Sequence, residues 1–107
     1  MLQFKSTVRL IGIDHRLADV LDECCMWSAR NVVDVEVNAI DDGAHMAGSL
    51  HGFGLAIDLD TVGDKRADLK LLHEWLRRRL HPQYDVVLEG DHVHVEWDAH
   101  RRATTTT

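Results

Sequence analysis

Residues 84–97 constrain the fold more tightly than any other stretch. Tyr84 to Leu88 reads as a strand and Glu89-Gly90-Asp91 as a tight turn. His92-Val93-His94-Val95-Glu96 then alternates titratable and apolar side chains one for one. Alternation at period two marks a strand with two unlike faces, and two strands joined through a glycine turn make a hairpin. On the second strand, which runs His92 to Trp97, Val93 and Val95 face one way and His92, His94 and Glu96 the other.

The rest of the chain supplies what such a hairpin packs with. Residues from Asp14 to about Arg30 read as a helix: Asp14 is placed to cap it, and Leu17, Val20, Leu21, Cys24 and Trp27 or Ser28 recur at helical spacing. His15 falls in its first turn, and Asp19, Asp22 and Glu23 fall mostly on its other side. Val32 to Ile40 alternates Val33, Val35 and Val37 with Asp34, Glu36 and Asn38, a half-buried strand that Asp41-Asp42-Gly43 breaks. A loop runs to about Leu50, and Gly54 to Leu59 reads as another strand. Asp64 caps a second helix, about Arg66 to Leu80, whose apolar stripe is Leu69, Leu72, Leu76 and Leu80, with Pro82 just beyond its end. Val8 to Ile13 is a candidate edge strand. The order predicts an α+β fold, a small and mainly antiparallel sheet with helices packed on one face. With 107 residues there is one domain, 1–103, and the terminal Thr104 to Thr107 is expected to fray.

Composition excludes several functions. A hydrophobic share of 45% and a charged share of 28% suit an ordinary globule. The net charge of −6 argues against a nucleic-acid partner, which needs clustered cations; Arg77-Arg78-Arg79 reads as a solvated helix face and Arg101-Arg102 as tail. Neighbouring Cys24 and Cys25 predict no disulfide and suit a reducing compartment, with Cys24 in the core. No apolar segment predicts a signal peptide or a membrane span. Trp27, Trp75 and Trp97 are expected to fill the core. The compositional oddity is eight histidines. His81 and His100 fall in turn or tail positions, whereas His45, His51, His92 and His94 fall in two short stretches.

The first stretch is Ser49-Leu50-His51-Gly52-Phe53-Gly54-Leu55-Ala56-Ile57-Asp58. His51 and Asp58 converge if the chain turns at Gly52 and enters a strand with Ala56 and Asp58 on one face. An Asp in an apolar strand is costly unless paired or bound to a metal, although a loop His and a strand-end Asp fit this stretch taken alone. The second stretch holds His92, His94 and Glu96 on one face, which fits a solvated surface or a metal ligand with its supporting groups. Two such stretches in one small domain favour a metal.

Ser49-x-His51-x-x-Gly54-x-Ala56-x-Asp58, followed by Asp91-x-x-His94, resembles the signature of the zinc D-alanyl-D-alanine peptidases. That family, of the hedgehog/D,D-peptidase fold, includes carboxypeptidases, vancomycin-resistance dipeptidases and the L-alanyl-D-glutamate endopeptidases of phage endolysins. The resemblance covers about Val32 to Asp98. Asp42-Gly43-Ala44-His45 and the run Tyr84 through Glu96 are similar to phage and prophage members. The resemblance implies one zinc ion per chain on His51, Asp58 and His94, with Asp91 as general base and a fourth position left for water. Asp91 and His94 are three apart, so Asp91 must sit in the turn or at a bulge to reach that water; otherwise Glu89 or Glu96 takes the role. Ser49, His92 and His45 are candidates for substrate contact, with His92 ranked below His94 as a ligand. Most members carry an Arg soon after the strand that precedes the motif; this sequence has Asp41-Asp42 there.

The expected activity is hydrolysis of peptidoglycan stem peptides, of the D-Ala-D-Ala or L-Ala-D-Glu type, by a phage lysin acting from the host cytoplasm or the virion. The resemblance is also compatible with a non-enzymatic phage structural or assembly protein that retains fold and metal, or with a zinc hydrolase acting on another amide.

Overall fold

The computed structural model describes residues 1–8, 10, 13–41, 55–62 and 65–97. Its elements are β1 (Leu2–Phe4), α1 (His15–Asn31), β2 (Val35–Asp41), β3 (Leu55–Thr61), α2 (Lys65–Arg79), β4 (Tyr84–Glu89) and β5 (His92–Trp97). They form the expected α+β fold, with the five strands ordered β1-β2-β3-β5-β4. β1 runs parallel to β2, and every other neighbouring pair is antiparallel.

One face of the sheet carries the core. β3 buries Leu55, Ile57, Leu59 and Thr61 and leaves Ala56, Asp58 and Asp60 half-buried, which is the period-two pattern of a strand covered on one side. Val35 and Val37 of β2 and Val93 and Val95 of β5 join the buried set. Leu17, Val20, Cys24 and Trp27 of α1 close over them, with Leu69, Leu72 and Leu76 of α2. Each fully buried Leu, Ile or Val contributes about 1.5–3 kcal/mol relative to exposure.

α1 begins where Asp14, in extended conformation, accepts a hydrogen bond from the Arg16 backbone N–H at 2.9 Å. The Arg16 guanidinium also donates twice to the same carboxylate, at 2.8 and 2.7 Å. The helix ends at Val32, whose φ of 55° lies in the left-handed region and whose N–H donates to the Ser28 carbonyl. A β-branched residue is strained there. β2 consequently starts at Val35, three residues later than the alternation of valines predicts.

One other expectation is corrected and another refined. Val8, Leu10 and Ile13 lie outside any strand, and the edge strand is β1. A strand at 8–13 would have to run directly into the Asp14 cap, whereas Leu2–Phe4 pairs with β2 in register Leu2↔Val35 to Phe4↔Val37. Trp27 is fully in the core, 2% exposed, and Trp75 and Trp97 pack against its edge. Trp75 and Trp97 are half-buried, with guanidiniums stacked on them: Arg30 and Arg79 over Trp75, Arg16 over Trp97. Cys24 is buried, which pushes its thiol well above the usual range, and Cys25 is exposed. Among the described residues no helix is long and apolar enough to cross a membrane. The tail 104–107 lies outside the described residues.

Candidate metal centre

Among the described residues the helices cover one side of the sheet and nothing covers the other, and the titratable residues of the hairpin lie on that second, open face. The β3–β5 ladder places Asp58 directly across from His94. Their side chains meet, with Asp58 Oδ1 2.7 Å from His94 Nδ1. The other ring nitrogen of His94 is 3.1 Å from Glu96 Oε1, two residues along the same face. Burial works against the charged imidazole of His94, but Asp58 and Glu96 outweigh it and hold its pKa above the usual histidine value.

His92 occupies the next outward position of β5. Its Nδ1 lies 2.9 Å from Asp91 Oδ1 and its Nε2 3.2 Å from Glu89 Oε1. The same Nε2 is 3.9 Å from Asp58 Oδ1. The hydrogen bond with Asp91 raises the His92 pKa against the effect of burial, and Asp58 and Glu89 add to the rise. With a carboxylate acceptor on each nitrogen, His92 is built to carry a proton on both.

Asp91 sits in the turn, as a residue three before His94 must if it is to serve that face. Glu89 pairs with His92, so Gly90 and Asp91 are the two turn residues. Gly90 has φ 59° and Asp91 is outside the left-handed region, the pattern of a type II′ turn with glycine first. The Asp91 carboxylate engages His92, which connects it through that ring to the neighbourhood of Asp58. Glu89 and Glu96 also enter the cluster. Glu96 follows from the period of two, and Glu89 from flanking a two-residue turn opposite His92.

The structure therefore brings together Asp58, His92, His94 and Asp91. His51, Ser49 and His45 lie outside the described residues. Among the described residues no group of three or more His, Cys, Asp or Glu side chains is arranged to hold a metal ion. The pair that is present suits zinc in donor chemistry: an imidazole nitrogen and a carboxylate oxygen converge, half-exposed, on an open face. Glu96 on the far nitrogen of His94 is the kind of partner that orients a ligating imidazole.

Comparison with protein-family models, with characterised proteins and with solved structures gives no match for this chain.

Proposed function

We propose that this protein is a zinc-dependent peptidase acting on peptidoglycan stem peptides, with Asp58 and His94 as two of the metal ligands and His51 as the third. The observation that carries the reading is the in-register cross-strand pair of Asp58 and His94 at 2.7 Å. These residues stand 36 apart in sequence, and each belongs to one of the two stretches that resemble the zinc D-alanyl-D-alanine peptidases.

In this reading His94 and Asp58 would hold the metal, with Glu96, 3.1 Å from His94 Nε2, fixing the ring. Zinc, when bound, supplies a Lewis acid and lowers the pKa of a water to about 7. Asp91 takes a proton from the attacking water and passes it to the leaving amine, so that water adds across the C–N bond and an acid and an amine leave. His92, whose protonated form Asp91 and Glu89 favour, offers that form to a substrate carboxylate or to the developing oxyanion. That is the service an Arg would perform where this sequence has Asp41-Asp42. The phage origin and the action from host cytoplasm or virion belong to the same proposal.

The test has two readouts. Metal analysis of the purified protein should find one zinc per chain, lost in His94→Ala and in Asp58→Ala. Digestion of muropeptides by zinc-loaded protein, followed by mass spectrometry, should release fragments cut at D-Ala-D-Ala or L-Ala-D-Glu bonds. No zinc after reconstitution would sink the metal site. Zinc bound without cleavage of either bond would replace the peptidase with a phage assembly protein that retains the fold.

A further inference from the structure

The open face of the sheet carries Asp58, Asp60, Glu89, Asp91 and Glu96, whereas a groove between α1 and α2, on the helical side, is lined by Arg30, Asn31, Glu74, Trp75, Arg78 and Arg79. The groove is an open cleft of about 390 Å³, within the range of small-molecule sites.

Three arginines line it, and among the described residues only Arg79 of these is in an ion pair. Arg79 Nε donates to Glu23 Oε1 at 3.0 Å. Arg30 and Arg78 make no ion pair among the described residues, although the chain holds 18 acidic residues against 12 basic ones. The cations are also gathered around a single ring, with Arg30 5.3 Å and Arg79 4.9 Å from the Trp75 centroid. Those two charges consequently lie within about one Debye length of each other at 0.1 M salt, so their repulsion is only partly screened. Complementing the helix dipoles does not account for the arrangement. One cation at each C-terminus serves that purpose and gives no reason to bring the arginine of α1 onto the indole of α2. The indole N–H of Trp75 is itself buried, with no acceptor among the described residues, so the ring lines the groove through its other atoms.

We propose that the α1–α2 groove is a binding site for a small oxyanion ligand, one bearing a phosphate or carboxylate group, held by Arg30 and Arg78 against Trp75. The planar fork of a guanidinium matches both groups, and two forks from different helices fix such a ligand in orientation as well as place. The single carboxylate in the groove, Glu74, limits the net charge and favours a ligand with one or two anionic groups over a polyanion. The site is independent of the metal centre, which occupies the other side of the sheet.

The test is a titration of ¹⁵N-labelled protein with inorganic phosphate and, separately, with succinate, at constant ionic strength. The Trp75 indole N–H resonance reports on the groove. A saturable shift of that resonance is expected. Arg30→Gln and Arg78→Gln should each weaken binding about tenfold, the effect of one lost charge-assisted hydrogen bond. Arg77→Gln, outside the groove, should leave binding unchanged, and the dispersion of each spectrum checks that the variant is folded. Saturation by phosphate alone assigns the site to a phosphate-bearing ligand, and saturation by succinate alone to a carboxylate. No saturable shift with either anion overturns the proposal, as does equal weakening by Arg77→Gln.

Discussion

On β5 the period of two makes adjacent substitutions behave oppositely. Val95 is 0% exposed in the core, and Val95→Ala deletes two carbons there. Transfer alone costs about 0.8 kcal/mol per carbon, and the cavity left behind brings the total to about 2–3 kcal/mol. His94 is one residue away on the open face. Its side chain is 28% exposed and that of its partner Asp58 33%, and a partly solvated pair of this kind is worth about 0–1 kcal/mol. In urea denaturation with chelator present, His94→Ala should therefore lose less than about 1 kcal/mol where Val95→Ala loses two or three times as much. If zinc binds as proposed, adding it should reverse the order. At a free concentration of about 100 Kd the wild type gains about 2.7 kcal/mol. Val95→Ala should gain the same, because its ligands are intact, and His94→Ala should gain nothing. The reasoning fails if His94→Ala costs as much as Val95→Ala in the metal-free protein, which would make His94 a structural residue. It also fails if zinc stabilises His94→Ala as it does the wild type.

At the C-cap of α1, Val32→Gly should raise stability by about 0.5–1 kcal/mol. The left-handed conformation costs a β-branched residue about 1–2 kcal/mol, of which the greater freedom of unfolded glycine takes back a part; a lower urea midpoint would refute this. Asp14→Ala should cost about 1 kcal/mol at neutral pH through loss of the helix cap. The hydrogen bonds from Arg16 hold the Asp14 carboxyl well below the usual carboxylate range. A depressed folded pKa stabilises above the unfolded value near 4 and loses that contribution as pH falls through the folded one. The gap between wild type and variant should accordingly be constant above about pH 5 and shrink in acid, and a gap that widened toward acid would contradict the pairing. With a thiol reagent at neutral pH, one cysteine, Cys25, should react in the native protein, and Cys24 only after denaturation. Rapid labelling of both would show that α1 does not pack as described.

Much of this was legible in the sequence because the period of two and the period of 3.6 are set by burial on one side. β5 and the Asp14 cap stand where the alternation and the cap chemistry place them, and α2 begins one residue before its predicted start. What escaped was decided by tertiary contact. Nothing in Leu2-Gln3-Phe4 distinguishes it from Val8 to Ile13 as a strand, and β1 exists because β2 offers it a parallel edge. Val32 reads as the start of a strand because valine favours one, yet the chain uses it in a strained conformation to end α1. Trp75 and Trp97 read as core and lie at its edge, where arginines from other turns and another helix stack on them. In the site, Asp58, His92, His94 and Glu96 follow from alternation, whereas the meeting of Asp58 with His94 depends on the β3–β5 register.

That register has a counterpart on the other side of β3, and it shapes what surrounds Asp58. A straight β2 ladder continuing from Val37↔Leu59 would set Asn38 opposite Asp58 and turn Ile40 outward beside Ala56. Instead the register slips between Val37 and Ala39, so that Ala39 faces Asp58 and Ile40 faces Ile57. The bulge returns Ile40 to the core side, where it packs against the buried cluster. It also removes a carboxamide from the flank of Asp58 and puts a methyl group there. The Asn38 side-chain oxygen is buried and has no hydrogen-bond partner among the described residues, an arrangement worth about 1–3 kcal/mol against folding. An amide opposite Asp58 would compete for the carboxylate oxygens, whereas alanine leaves them to His94 across the sheet. Bulges recur beside functional sites because they re-aim side chains, and this one re-aims by withdrawing the residue that would otherwise occupy Asp58.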